Sequence, residues 1–533
     1  MGRLAIALLL GPLLLSCSSP PAETTTGGSV CVPGQSAQCA CSNGETGAQV
    51  CNAEGTGFGA CECTGSGGNG GTTSGTTSMG GSTGTVSMGG MGGTGGSTNS
   101  TSTSASTSTG TGGSAPTWSK IFCTPNASDE LIGLTTDLDN NVVIAFRTGT
   151  IDLGGGPLQN VVVAKFDPMG NYQWGQGFPG NGTGLAVDAG GNVYLVGYFG
   201  SFADFGGGVL VSQGANDIFL VKLNSTGQHV YSKRLGGPSN DAPESIHIDL
   251  DGNLLIAGNI GSPVDFGGGL LPFQGAGDFF VLKLDAAANH VWSHSYGDVN
   301  GQFGIQIATD PQKNVLLGGK LQGTVDFGNG PLVASPGGID AFVAKLSSGG
   351  TALWSKSFGD NPNQSVNSIA VDSASNLVVA GDFAGTINLG GTAFFAGNEP
   401  DGFAAKFDSN GVHLWSKHLT GAGAQGAYGV AVGPSNAVAV TGAFFATLDL
   451  GLGAMVSAGM SDIFAGRWDS TGSALWQQSY GDAVSQAGLR IAAPNDNSVV
   501  VAGATEAGAL NFGDGPLECP FSQGDIVLAK LAP

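Results

Sequence analysis

The chain has 533 residues, a net charge of −22, and only 11% charged residues against 41% hydrophobic ones. A typical domain carries about 25% charged residues. A sparsely charged, acidic surface repels phosphate backbones, so nucleic acid is excluded as a partner, and Gly 96 points to a turn-rich chain rather than a helical one.

Residues 1–16 read as a leader: Arg3 precedes an apolar run from Leu4 to Leu15 that is broken by Gly11 and Pro12 and is too short to span a bilayer. It ends in Leu14-Leu15-Ser16-Cys17, which resembles the lipobox of bacterial lipoproteins. That resemblance implies cleavage before Cys17, acylation of its thiol and a membrane anchor, with Ser18 favouring the outer membrane and the cell surface. The alternative is an ordinary secretory leader with an unrelated cysteine.

After an anchor segment at 17–30, residues 31–63 hold Cys31, Cys39, Cys41, Cys51, Cys61 and Cys63 among Gly, Ser, Asn and Gln. So few aliphatic residues cannot form a core, and three disulfides of undetermined pairing are the expected staples. Zinc is the weaker reading, because the cysteines are spaced Cys-x-Cys and the segment contains no histidine. The segment resembles short Cys-rich modules found behind the anchor of bacterial surface lipoproteins. Residues 64–116 are Gly, Ser and Thr without a charge, and this composition predicts a disordered tether with a span of roughly 40 Å. Met79, Met88 and Met91 in it are read as low-complexity drift rather than a soft-metal site.

From 117 to 533 one pattern returns seven times. Its aromatic anchors are Trp118, Trp174, Tyr231, Trp292, Trp354, Trp415 and Trp476. A fixed period is the mark of a repeat architecture. The fifth unit shows the content: Ser368-Ile-Ala-Val-Asp372, Asn376-Leu-Val-Val-Ala-Gly381, Thr386-Ile-Asn-Leu-Gly-Gly391 and Asp401-Gly-Phe-Ala-Ala-Lys-Phe407. Short β-branched and aromatic runs bounded by Gly, Asn and Asp are strands, so the fold class is all-β, a seven-bladed β-propeller with four main strands per blade. The pattern resembles the bacterial β-propeller repeat family over the whole of 118–533, which implies a fold and leaves activity open. The chain ends on a third strand and the repeat region begins with an aromatic fourth strand, so strand 118–123 is expected to complete the last blade. Cys123 and Cys519 would then clamp the ring in one disulfide.

Three features carry possible chemistry. A cation recurs at Lys165, Lys222, Lys283, Lys345, Lys406, Arg467 and Lys530, with an Asp five residues upstream in six units (Asp217, Asp278, Asp340, Asp401, Asp462 and Asp525). We read this as a repeated structural ion pair rather than a ring of charge for an anion. Turns of the form Asp…Asn (Asp137, Asp188, Asp249, Asp310, Asp372) are read as hairpin turns. Calcium is the weaker reading, since no bidentate acid stands at position 12. His247 replaces the alanine of five other units and is the possible channel residue, set against a satisfied core histidine.

No catalytic residue, metal site or cofactor is nominated. The expectation is an exported, lipid-anchored, monomeric protein that displays a propeller for binding a glycan or an envelope or extracellular protein. The alternatives are an envelope scaffold with a fixed protein partner, or an extracellular hydrolase or lyase.

Overall fold

The computed structural model describes residues 36–40, 46–50, 116–124, 128–397, 399–506, 508–519 and 524–533. It divides into two units, Met1–Thr94 and Gly95–Pro533. In the first, Ser36–Ala40 and Thr46–Val50 form an antiparallel pair that sets Cys39 opposite Gly47. Cys17, where lipidation is expected, the cysteines 31, 41, 51, 61 and 63, and the expected tether up to residue 115 lie outside the described residues.

The second unit is a seven-bladed β-propeller. Each blade is a four-stranded antiparallel sheet. In blade 3 the strands run outward from the channel as Asp241–Ile248, Leu254–Ile260, Asp278–Leu284 and His290–Tyr296. Blade 7 takes its outer strand from the start of the repeat region: Pro116–Phe122 pairs with Asp525–Leu531, and Trp118 lies opposite Lys530. Inner strands touch their neighbours all the way round, with Gln486–Ala492 meeting Glu130–Thr136 to close the circle. The Cys123–Cys519 disulfide, with Cα atoms 5.9 Å apart, fastens the closing blade.

The second and third strands of each blade read as near-continuous apolar runs because both of their faces are covered. Val143, Ala145, Val161 and Val163 of blade 1 form one cluster with Val193, Leu195 and Phe219 of blade 2. Across the closure, Phe122, Val500 and Leu528 pack with Val142, Ile144 and Phe166. Every core is shared between two blades, so no blade can bury its own faces alone.

The recurring cation is paired within its blade, as expected, but with a different acid. Its partner is the turn aspartate, not the one five residues upstream. Lys283 Nζ lies 2.8 Å from Asp249, Lys345 2.8 Å from Asp310, Lys406 2.8 Å from Asp372 and Lys165 2.7 Å from Asp137. The upstream residue is the first of the third strand, with four residues between it and the lysine, whereas the turn between the first two strands folds back over that ammonium. Burial opposes the charge on Asp249, but hydrogen bonds from Lys283 and Asn253 outweigh it and hold the carboxyl below its ordinary range. Where the sixth and seventh units lack the turn aspartate, Arg467 reaches the Asn497 carbonyl at 2.5 Å and Lys530 takes Asp496 at 2.8 Å.

The same cations reach the next blade. Lys345 Nζ and Trp354 Nε1 both donate to the Ser409 carbonyl, each at 3.1 Å, and Lys406 and Trp415 share Ser470 in the same way. The acceptor turn turns a glycine against the indole: a Cβ at Gly170 (φ 82°) would come 2.8 Å from Trp118.

The upstream aspartates have another task. Each opens its blade's third strand, and where the preceding loop is described, most cap it: Asp217, Asp278 and Asp462 accept backbone N–H groups from Gln213, Gln274 and Ala458 at 2.7, 2.9 and 2.9 Å. A second acid stands nearby across the blade junction. Burial, reinforced by Asp298, raises the pKa of Asp278, and Asp340 beside Asp360 and Asp462 beside Asp482 behave alike. Burial and the charge of Asp129 push Asp525 up to about 7. The glycine of the recurring Gly-Asp step, as at Gly297, is required because any Cβ there would collide with the buried Asp278 carboxylate.

The Asp-Phe-Gly-Gly-Gly stretch that lengthens the period is an accessory outer hairpin, such as Phe202–Asp204 with Val209–Val211. Asp204 Oδ1 accepts the N–H groups of Gly206 and Gly208 at 2.8 and 3.1 Å. Both glycines have φ above 100°, a conformation closed to other residues.

Two outcomes test this account. Lys283→Met leaves Asp249 buried without its cation and is expected to cost about 3 kcal/mol in urea unfolding, much of it recovered in the double variant with Asp249→Asn. A carboxyl whose folded pKa is raised stabilises the fold below its unfolded value and loses that contribution as pH rises through the folded value. Asp525→Asn should therefore melt above wild type at pH 8, with the gap closing towards pH 5 in thermal scans.

Candidate functional site

The channel is lined by the seven inner strands, and its two ends differ. One end carries the turns between first and second strands. There Leu138 and Leu250 stand 64% and 77% exposed, and His247 borders a cleft of about 210 Å³ with Ile248, Pro311, Val371 and Ser373. The turn aspartates at this end have no free oxygens to offer. Asp249 Oδ1 accepts the N–H groups of Asp251 and Asn253, while Oδ2 takes Lys283 and the Asn253 side chain. Carboxylates occupied by an ammonium and N–H donors are hairpin devices rather than calcium ligands.

His247 is half-buried on the inner strand of blade 3, opposite Leu255. Burial lowers its pKa to about 4 against the opposing charge of Asp249, so the imidazole is neutral at physiological pH. It is an uncharged polar group on that strand. Cys123, Cys519 and Asp525 lie close enough to share an ion, but the two sulfurs are bonded to each other, which leaves no thiolate to ligate one.

Towards the other end the repetition breaks down. Every inner strand carries a bulge or register shift near its start, and one place past the residue that faces it the second strand differs from blade to blade. At that equivalent position stand Arg147, Tyr198, Asn259, Lys320, Asp382, Ala443 and Ala504. The bulge adds Glu244, Asn367 and Tyr428.

Several of these polar groups are tied to each other or to the neighbouring blade. Glu244 accepts the Ile305 N–H at 2.6 Å; burial raises its pKa, and the Gly304 and Ile305 amides and Lys320 oppose that rise. Asp382 accepts from Ser365 at 2.9 Å and from Asn367 at 2.5 Å, and Asn367 also donates to the Ala427 carbonyl at 3.1 Å. Arg147 pairs with Glu130 and reaches Asn181 at 2.6 Å. Burial pushes Tyr428 up to about 12, and the charge of Asp382 adds to the shift. The result is a polar ring of both signs contributed by different blades.

Reading the sequence for His247 alone missed this ring. The signal that finds it is the alignment of the seven units at one position, where aliphatic and glycine columns give way to Arg, Tyr, Asn, Lys and Asp.

No protein-family model matches the chain. A curated relative, an uncharacterized WD repeat-containing protein of Acanthamoeba polyphaga mimivirus, is 25% identical over 409 residues, covering 60% of this chain and 29% of that protein. The regulatory protein FlaEY of Caulobacter vibrioides is 25% identical over 175 residues, 31% of this chain and 18% of that protein. The chain thus spans less than a third of the length of either. Among solved structures, a chain of the mitotic checkpoint complex superposes with TM-score 0.42 at 11% identity, covering 82% of this chain and 98% of the other. An ulvan lyase superposes with TM-score 0.38 at 9% identity, covering 72% and 93%.

The neutral state of His247 is directly measurable. In an NMR titration its ring resonances should stay at their neutral positions down to about pH 5, below the midpoint near pH 6.5 of a free imidazole.

Proposed function

We propose that this chain is a binding module: a propeller held away from a membrane by the 64–116 tether, anchored through a lipid on Cys17 at the cell surface, and taking a glycan or an extracellular protein at the polar end of its channel. The observation that carries the reading is the broken column Arg147, Tyr198, Asn259, Lys320, Asp382. Positions that build the blades repeat because symmetry repeats their task. A column that varies in a symmetric scaffold has a task that is not symmetric, and recognition of an asymmetric ligand is such a task.

Binding rather than turnover is favoured by how the acids are employed. Glu244 and Asp382 accept hydrogen bonds from the backbone or from neighbouring side chains, and His247 is neutral and set towards the opposite mouth. An envelope scaffold with a fixed protein partner is the second reading. It draws on the exposed apolar rim formed by Val291, Leu353, Leu414 and Leu475, each about half exposed on an outer strand.

The test is binding of the full chain to a glycan array and to envelope extract, with and without calcium. Saturable, calcium-independent binding that falls at least tenfold in Lys320→Ala or Asp382→Ala and is untouched by Leu353→Ser supports the channel. The reverse pattern assigns recognition to the rim. Cys17→Ser should move the protein from the membrane fraction to the soluble one.

A further inference from the structure

Among the described arginines, Arg490 alone has neither an acidic partner nor a hydrogen bond beyond its adjacent residue. It lies in the middle of the inner strand Gln486–Ala492, paired with Ala502, directly after that strand's bulge. At the matching positions the two flanking blades carry Gly133 and Gly429. It is half-buried, and on an innermost strand the solvent it touches is that of the channel. Among the described residues its guanidinium has one hydrogen bond, to the carbonyl of the adjacent Leu489 at 3.0 Å, and no acidic partner.

The contrast with the other arginines and with the recurring lysines is sharp. The six recurring lysines are paired with a turn or loop aspartate, Arg467 is held by a carbonyl, and Arg147 and Arg234 sit on Glu130 and Asp217. In a protein of net charge −22 an enclosed cation without an anion has an electrostatic vacancy of one negative charge.

We propose that the channel is an anion site centred on Arg490 and that its ligand carries a single negative charge, a carboxylate or sulfate ester as found on acidic sugars. This deepens the binding-module reading and rests on it. The guanidinium presents a planar fork that matches two oxygens of such a group. One cation neutralises one charge, and the acidic chain around it works against polyanions. Ser368, at the matching position of blade 5, accepts the Val430 N–H at 3.1 Å through its oxygen, which leaves its hydroxyl hydrogen to donate. The ligand's hydroxyls would find the polar ring towards the channel's end.

The experiment is calorimetric titration of the full chain with D-galacturonate, galactose 6-sulfate and neutral galactose, on wild type, Arg490→Gln, Arg490→Lys and Arg490→Leu. Expected are one saturable site, at least tenfold preference for an anionic sugar over galactose, and at least tenfold loss in Arg490→Gln. Arg490→Lys should fall between the two, since an ammonium keeps the charge and loses the fork. The carboxylate and sulfate arms identify which group is taken.

Because an unpaired enclosed charge costs stability, Arg490→Leu should bind no anion yet melt about 2 °C higher than wild type. A lower melting temperature would make Arg490 structural and overturn the proposal. So would equal affinity for galactose, or no anion binding up to high millimolar concentration. If array binding survives Arg490→Gln unchanged, the binding module stands and the anion site falls; absence of all binding removes both.

Discussion

In six blades the lysine of the third strand ties parts of the ring together. Its ammonium meets the turn aspartate of its own blade and, in blades 4 and 5, donates to a turn carbonyl of the next, the same carbonyl that takes the blade's indole N–H. A buried ion pair is costly unless its remaining donors are satisfied. Here the lysine spends its donors on two acceptors, and the aspartate is filled by the lysine, the turn asparagine and backbone amides. The pair is therefore stable only when the next blade is in place. With each hydrophobic core also divided between two blades, secondary structure, ionic pairing and burial all depend on completion of the circle.

That dependence explains where the pattern is irregular. Blade 7 has no turn between its third and fourth strands, because Asp525–Leu531 and Pro116–Phe122 lie far apart in the chain. The tryptophan that would use such a turn, Trp476 of blade 6, is the one whose buried Nε1 has no partner among the described residues. The Cys123–Cys519 disulfide sits in the blade that lacks this staple. By closing a loop of separation 396, it restricts the unfolded chain by about 4–5 kcal/mol in loop-entropy terms.

Much of this architecture could be read from residue order. The seven-fold period, the strand content, the closing strand and the disulfide all follow from patterns local to each unit or from matching two loose ends. The partner of the recurring lysine could not be read that way. Two aspartates repeat with it, and choosing between Asp249 and Asp278 for Lys283 requires knowing that the first turn folds over the third strand. The site was less legible still. His247 stood out because it broke a column of alanines, whereas Glu244 and Lys320 fall where bulges shift the register between units, so their alignment emerges only from strand pairing.

The bulge also accounts for why the channel can differ from blade to blade while the blades do not. Inner strands contribute little to the shared cores, which are built mainly from second and third strands such as Val143, Val161, Leu195 and Phe219. The residue just after the bulge meets the inner strand of the next blade, as Ser245 meets Ile305 and Ser368 meets Val430. Glycine, serine, glutamine and arginine all occupy the position of Arg490 in one molecule without altering the sheets behind them. The closed ring thus separates its demands: the repeated residues hold seven blades in a circle, and the unrepeated ones are not bound to that task.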